Sequence, residues 1–310
     1  MKKKTINAVI SKKMRGWWDS IEDESLRERV QKETVVTGGC IASMLLGEDI
    51  SDFDVYLGKQ ETARDLAEYY VKRFKSKRAN GIPLDISVRP GTDRVEIVVQ
   101  SAGVASEEGA EADYQYFEDR PPEEAQTYVS EVMDDPAEIE DQHEETKTAA
   151  WAEADGELYR PVFLSTNAIT LSHKVQVIVR FFGTPEEIHA NYDFIHCTNY
   201  WTKSTGVVLN QPALEALLAK ELRYVGSRYP ICSAIRTRKF VKRGWTINAG
   251  QFVKMAFQIG ELDLKDLSVL RDQLTGVDVA YFLEVIDKLQ EKDKERVDGA
   301  YLLEIIDRLF

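Results

Sequence analysis

The chain has 310 residues, 43% of them hydrophobic and 30% charged, with a formal net charge of −13. That is long enough for two cores, has the composition of a soluble globular protein, and contains no apolar run long enough to span a membrane. The three cysteines, Cys40, Cys197 and Cys232, are scattered without CxxC or His/Cys spacing, which argues against a disulfide scaffold or a structural zinc and for a reducing, cytoplasmic setting.

The first residues are basic but lack an uninterrupted apolar stretch and a small-residue cleavage site, so they read as mature protein. Residues 5–31 predict two helices, with Trp17 and Trp18 near their junction. Residues 35–57 then change character. Val35-Val36-Thr37 is a β-branched strand signal, Gly38-Gly39 turns the chain into a short apolar helix over 40–46, and Gly47 is placed to close it. Asp52-Phe53-Asp54-Val55-Tyr56-Leu57 alternates with period two, putting Asp52, Asp54 and Tyr56 on one strand face and Phe53, Val55 and Leu57 on the other.

This order has chemical consequences. Two glycines before a helix let backbone N–H groups approach an anion at the positive helix end, and Ser43 adds a hydroxyl one turn later. Two carboxylates spaced i, i+2 on a strand form a hard oxygen site suited to Mg²⁺. Taken singly, a Gly-Gly is usually a turn and an Asp-x-Asp usually a solvated strand edge; the ordered combination is what carries information.

A helix follows over 61–74, with Ala63, Ala67, Tyr70 and Phe74 on one stripe. Strands over 83–88 and 94–100 flank a Pro-Gly-Thr-Asp turn signal and predict a hairpin. Residues 101–157 hold nineteen acidic residues and two basic ones, so this segment carries −17 and the remainder of the chain +4. It reads as an insertion: a solvated loop, or an acidic surface that excludes wrong substrates or mimics nucleic acid toward a basic protein partner. Strands are predicted over 158–165, 167–171 and 175–182, a short helix over 185–190, and a last strand over 192–197 that contains Asp193 and His196. From about 198 onward the chain reads as helical, with helices over 212–225, 230–242 and from Asn248 to about 259. Residues 220–243 hold eight basic residues and one acid, with Arg236, Lys239 and Arg243 at i, i+3 and i+7 on one helix face. That face suits phosphate and equally suits solvent. Residues 277–289 recur at 297–309 with nine of thirteen positions identical, each copy a short amphipathic helix for packing on the helical region or a dimer contact.

The Gly38-Gly39, Ser43 and Asp52-Phe53-Asp54 arrangement resembles the nucleotidyltransferase superfamily typified by DNA polymerase beta, whose signature is a glycine pair or Gly-Ser, about ten residues, then Asp-x-Asp between apolar residues. Here twelve residues separate the two parts. More loosely, the chain looks like the nucleotidyltransferase-like proteins of tailed bacteriophages. The resemblance implies an α+β fold: a mixed sheet with flanking helices, plus a helical C-terminal domain. The implied domains are N-terminal helices over 1–34, a nucleotidyltransferase domain over 35–200 carrying the acidic insertion, and a helical domain over 201–310. It implies an NTP held by Gly38, Gly39, Ser43, Arg236, Lys239 and Arg243, and two Mg²⁺ (or Mn²⁺) ions held by Asp52, Asp54 and a third carboxylate. Asp193 is favoured for that third place, with Asp85 the rival; the three carboxylates would be the catalytic set. Transfer of a nucleotide to an acceptor hydroxyl would follow, the acceptor being an RNA 3′ end bound by the basic helices, a protein or a small molecule. The alternative is a catalytically silent member serving as a binding or structural module, such as a phage assembly or accessory component. The expected location is cytoplasmic (the host cytoplasm if phage-encoded), with the virion as alternative.

Overall fold

The computed structural model describes residues 1–77, 85–90, 95–100, 158–164 and 167–264, with 266, 269 and 273. The acidic segment and the C-terminal repeat lie outside the described residues. The architecture is mixed α+β. Helices α1 (Lys3–Asp19) and α2 (Glu24–Glu33) precede strand β1 (Val35–Thr37), helix α3 (Gly39–Leu46), strand β2 (Phe53–Leu57) and helix α4 (Gln60–Lys77). Strands β3 (Asp85–Pro90) and β4 (Val95–Gln100) pair with each other in a separate antiparallel sheet. Strands β5 (Pro161–Leu164), β6 (Ala168–Leu171) and β7 (Val175–Phe182) come next, then helix α5 (Pro185–His189) and a 3₁₀ turn over Ile195–Cys197. The described elements end with strands β8 (Tyr200–Thr202) and β9 (Gly206–Val208) and helices α6 (Gln211–Ala219), α7 (Pro230–Lys242) and α8 (Ala249–Gly260).

The main sheet has seven strands in the order β5-β6-β7-β2-β1-β8-β9. The β2–β7 pair is parallel and every other neighbouring pair antiparallel. Alternation sorts its two faces. Val36, Phe53, Val55, Leu57, Val175 and Val177 point into the main core. Ile6, Ile10, Met14 and Trp17 on α1, each 0% exposed, cover that face together with Ala63, Leu66, Ala67 and Tyr70 on α4. The Trp17 indole N–H donates to the Tyr70 hydroxyl at 2.9 Å, so the buried polar tip of each ring is satisfied. On the opposite face Val35, Tyr56 and Ile188 form a smaller cluster beneath α5. Asp54 shares that face and stays half-buried.

The structure corrects several sequence expectations. Residues 192–197 are not a strand: only Phe194 forms a bridge, to Tyr224, and Ile195–Cys197 closes as a 3₁₀ turn. Local side-chain bonds compete with a ladder there. The Asp193 carboxylate accepts from the Phe194 N–H at 2.9 Å, and the Thr198 hydroxyl donates to the Ile195 carbonyl at 2.7 Å. The region after 198 is not wholly helical, because β8 and β9 form a hairpin that completes one edge of the sheet. The helix expected over 212–225 stops at Ala219, with Lys220 left-handed at φ 46°. Stopping there lets Leu222 and Tyr224 enter a second core with Phe194, Leu217 and Trp245. Asn248 sits at the N-cap of α8 without capping it; its amide donates instead to Glu221 at 3.0 Å. Asp52 lies just ahead of β2 rather than within it.

Candidate functional site

The site is built where β1 runs into α3. Gly38 holds φ 90° and ψ −150°, a conformation open only to glycine, and its N–H donates to the Cys197 carbonyl at 3.2 Å. A side chain at Gly38 would place its Cβ 2.7 Å from Asp54 Oδ2. The absent side chain is therefore what lets the Asp54 carboxylate sit against the start of α3. At Gly39, the first residue of α3, an added Cβ would meet nothing within 4 Å. That leaves open space at a helix end whose first N–H groups lack intrahelical acceptors. Gly47, left-handed at φ 77°, closes the helix by donating to the Ser43 carbonyl.

Thr37 pairs with Asp54 across the β1–β2 ladder. Its hydroxyl lies 2.9 Å from the Asn199 carbonyl and 2.8 Å from His189 Nε2. A hydroxyl has one proton, so donation to the carbonyl leaves Thr37 to accept from the imidazole N–H. A capping box between Thr184 and Glu187 starts α5 and so sets where His189 falls. Burial holds His189 down to about 4, against the opposing charge of Glu186. Beside it, the Tyr192 hydroxyl donates to the Tyr56 hydroxyl at 3.1 Å, and burial first, then Asp54, raises the Tyr56 phenol.

Asp193 lies just ahead of the 3₁₀ turn over Ile195–Cys197. Its Oδ1 accepts from the Phe194 N–H at 2.9 Å, and its Oδ2 lies 2.7 Å from Arg236 Nη1 on α7. The carboxylate is 12% exposed and the guanidinium side chain 40%. Burial alone would lower Arg236, and the Asp193 charge more than reverses it, so the guanidinium is held above its ordinary value. The Cys197 thiol is raised by burial and then by Asp193 and Asp54, while Arg236 opposes.

The structure sets Asp54 against Gly38 and Asp193 against Arg236. Asp52 acts with Asp54 on the buried Cys40 thiol, raising it after burial has done so, and accepts from the Ser51 hydroxyl at 3.3 Å. Ser43 is half-buried on α3. Lys239 and Arg243 are exposed, the latter at the C-cap of α7. Asp85 opens β3 opposite Gln100, in the separate sheet. That sheet packs through Ile86, Val95 and Ile97 into the main core, the face of β2 away from Asp54. Among the described residues no three His, Cys, Asp or Glu side chains are grouped closely enough to hold a metal ion. Thr37, His189 and Tyr192 were missed from sequence. Tyr56 was legible as a face-mate of Asp54, but nothing local marks His189, whose hydroxyl partner is 152 residues away.

His196 is a core residue, 1% exposed and ringed by Phe194, Phe240 and Trp245. Burial lowers it to about 4, with Asp193 opposing. His189 and His196 therefore sit below their ordinary 6.5 in the fold. The unfolded chain takes up protons first as pH falls. Stability is expected to be full above pH 6.5 and to decline as pH drops toward about 4, where the folded histidines also protonate. Urea midpoints measured from pH 7.5 to 4.5 check this; a His189→Asn chain should show a shallower decline, and an identical slope would refute the assignment.

A model of the Gabija anti-defense 2 proteins matches residues 8–220, more than half of the chain. The chain belongs to the Gabija anti-defense 2 family. A member from Bacillus phage SPbetaL7 is 26% identical over 125 residues, which is 39% of this chain and 30% of that protein. The chain thus matches less than a third of that relative's length. Among solved structures, the Thermotoga maritima CCA-adding enzyme complexed with tRNA matches at TM-score 0.36 and 11% identity, over 78% of this chain and 43% of that one. The Bacillus stearothermophilus CCA-adding enzyme in complex with CTP matches at TM-score 0.36 and 11% identity, over 84% of this chain and 49% of that one. No helix among the described residues is long and apolar enough to cross a membrane.

Proposed function

We propose that this Gabija anti-defense 2 protein is a nucleotidyltransferase of the polymerase-beta type, moving a nucleoside monophosphate from an NTP to an acceptor hydroxyl with release of pyrophosphate. The observation that carries the reading is the fit of the Asp54 carboxylate against Gly38, at the N-terminal end of α3. That end suits a phosphate, and the carboxylate beside it would help to hold a divalent ion that supplies positive charge there. Asp52 and Asp54 supply hard oxygen donors suited to Mg²⁺ or Mn²⁺, and Asp193 would complete the set. When bound, two such ions would neutralise phosphoryl charge and favour in-line displacement.

The chain's own residues do the rest. The open start of α3 at Gly39 receives phosphate oxygens and Ser43 adds a hydroxyl. Gly38 serves by conformation, since its N–H is committed to Cys197. Arg236, Lys239 and Arg243 offer positive charge to the triphosphate from α7. Asp193 helps to draw the proton from the acceptor hydroxyl. On this reading the main sheet, which β8 and β9 extend past residue 200, belongs to the catalytic domain, 1–34 backs it, and helices α6, α7 and α8 supply the basic face. RNA is the acceptor best suited to the basic helices, and a protein acceptor or partner could engage the acidic segment. The family name and the Bacillus phage relative support a role in countering Gabija defence in the host cytoplasm. A second reading, a silent module that binds without catalysis, draws support from Asp193 having both oxygens engaged and from the absence of a three-ligand group among the described residues.

Incubation with each α-³²P-labelled NTP, Mg²⁺ or Mn²⁺, bulk RNA and host lysate separates the two. Label on RNA or on a protein band is expected. No label, with no metal-dependent NTP binding, would leave the silent module standing.

A further inference from the structure

We infer that the hollow between the start of α1 and the β8–β9 turn binds the phosphate backbone of a single-stranded nucleic acid, away from the Asp54 site and independently of the transferase reading. The hollow measures about 630 Å³. Lys3, Lys4 and Lys203 line it together with Asn7, Ser11 and Ser204, and among the described residues no acid does. Its floor is Trp201 and Val207, which belong to the main core, so it lies at the β9 edge on the sheet face opposite Asp54. The walls are fixed. Asn7 Oδ1 accepts from the Trp201 indole N–H at 3.0 Å and from the Val207 N–H at 3.3 Å. Gly206, at φ 63°, lets α1 come this close, since a Cβ there would lie 2.7 Å from Asn7 Oδ1. With its oxygen committed to the hairpin, the Asn7 amide offers the hollow its N–H donors. The turn is tied by the Thr205 N–H, which donates to the Thr202 hydroxyl at 3.1 Å. The groups presented are thus cations, an amide donor and hydroxyls, the set from which phosphate oxygens accept.

Shape and exposure select the ligand. A second hollow of about 380 Å³ adjoins the first through Lys203 and Ser204 and adds Lys32 on α2, with Glu28 its one acid among the described residues. Lys203 is held at the junction: its ammonium donates to Gln31 Oε1 at 3.0 Å and lies 5.4 Å over the Trp18 ring. The lysines are therefore laid along a track rather than gathered at a point, which suits a chain of phosphates better than a single one. The rings beneath are closed, since Trp18 and Trp201 are each 3% exposed. They offer bases no stacking surface, so contact is with the backbone and independent of base sequence. The same closure disfavours an acidic peptide, whose anchor side chains need open apolar pockets.

The test reads binding, not turnover. Fluorescence anisotropy of a labelled single-stranded oligonucleotide of mixed sequence, as RNA and as DNA, is followed from about 50 to about 200 mM salt for the wild-type chain and Lys3→Ala/Lys4→Ala/Lys203→Ala. The wild type is expected to bind both nucleic acids, with affinity falling steeply as salt rises. The triple variant is expected to lose at least about tenfold in affinity, and its log–log salt slope to be shallower by about 2, at about 0.7 for each phosphate contact removed. No binding by the wild type at about 50 mM salt, or equal affinity and slope in the folded triple variant, would overturn the site and leave the transferase reading untouched. Poly-glutamate that displaces the probe as readily as unlabelled RNA does would assign the hollow to an acidic protein and overturn the nucleic-acid proposal. Should the triple variant fail to fold, Lys3→Ala/Lys4→Ala decides, both side chains being exposed on the first turn of α1: an unchanged slope overturns the proposal.

Discussion

Asp54→Asn is expected to abolish nucleotide transfer while leaving the fold nearly intact. Asp54 is half-buried on the face of β2 away from the main core, so asparagine keeps the shape and removes only the charge. If Asp54 holds a divalent ion as proposed, its loss would remove several kcal/mol of transition-state stabilisation, and about 4 kcal/mol corresponds to about a thousandfold in rate. Asp52→Asn should act in the same direction. Single-turnover transfer of α-³²P-labelled nucleotide, with thermal melts to verify folding, measures both. Two folded variants with wild-type turnover would end the transferase reading. Loss of transfer with unchanged melts would tie the chemistry to these two positions.

Gly38→Ala is expected to damage both stability and function. Its φ of 90° is closed to alanine without strain, and the new methyl would lie 2.7 Å from Asp54 Oδ2. A strained backbone of this kind costs about 1–3 kcal/mol, and displacing the carboxylate adds to it. Gly39→Ala is the contrasting case. Gly39 is the first residue of α3 and a Cβ there meets nothing within 4 Å. Its stability should hold or rise by about 0.5–1 kcal/mol, because alanine lowers the entropy of the unfolded chain. Its NTP affinity should fall, since the methyl fills the space offered to phosphate. Urea denaturation alongside fluorescent NTP binding separates the two glycines. Equal stability loss in both would mean that the loop is merely tight, and unchanged NTP binding in Gly39→Ala would remove the phosphate seat.

Much of this was legible in the order of residues. Val35-Val36-Thr37, the glycine turn, the apolar helix and the alternation around Asp54 are local signals, and the structure forms β1, α3 and β2 from them. The strand pair over 85–90 and 95–100, the three strands before α5 and the helix over 230–242 were equally readable, because their periodicity is set by backbone geometry within a few residues. Two other features were not readable. The segment around Asp193 has the apolar-Asp-apolar pattern of a strand, yet it turns, because the Asp193 and Thr198 side chains bond the nearby backbone in place of a ladder. The residues after 198 carry short strand signals that gain meaning only when β1 offers an edge for β8 to pair with.

The amino-acid sequence by itself determined which groups the chain carries: a glycine-opened helix end and a basic helix suited to an anion, and two aspartates two residues apart suited to a cation. Only the tertiary structure decided their states. It joined Arg236 to Asp193 across 43 residues, set His189 on Thr37 across 152, and seated Asp54 in the space that Gly38 leaves. The physical reason is that strand faces and helix turns follow from local sterics, whereas the partner of a charge follows from which distant surfaces the hydrophobic cores bring together.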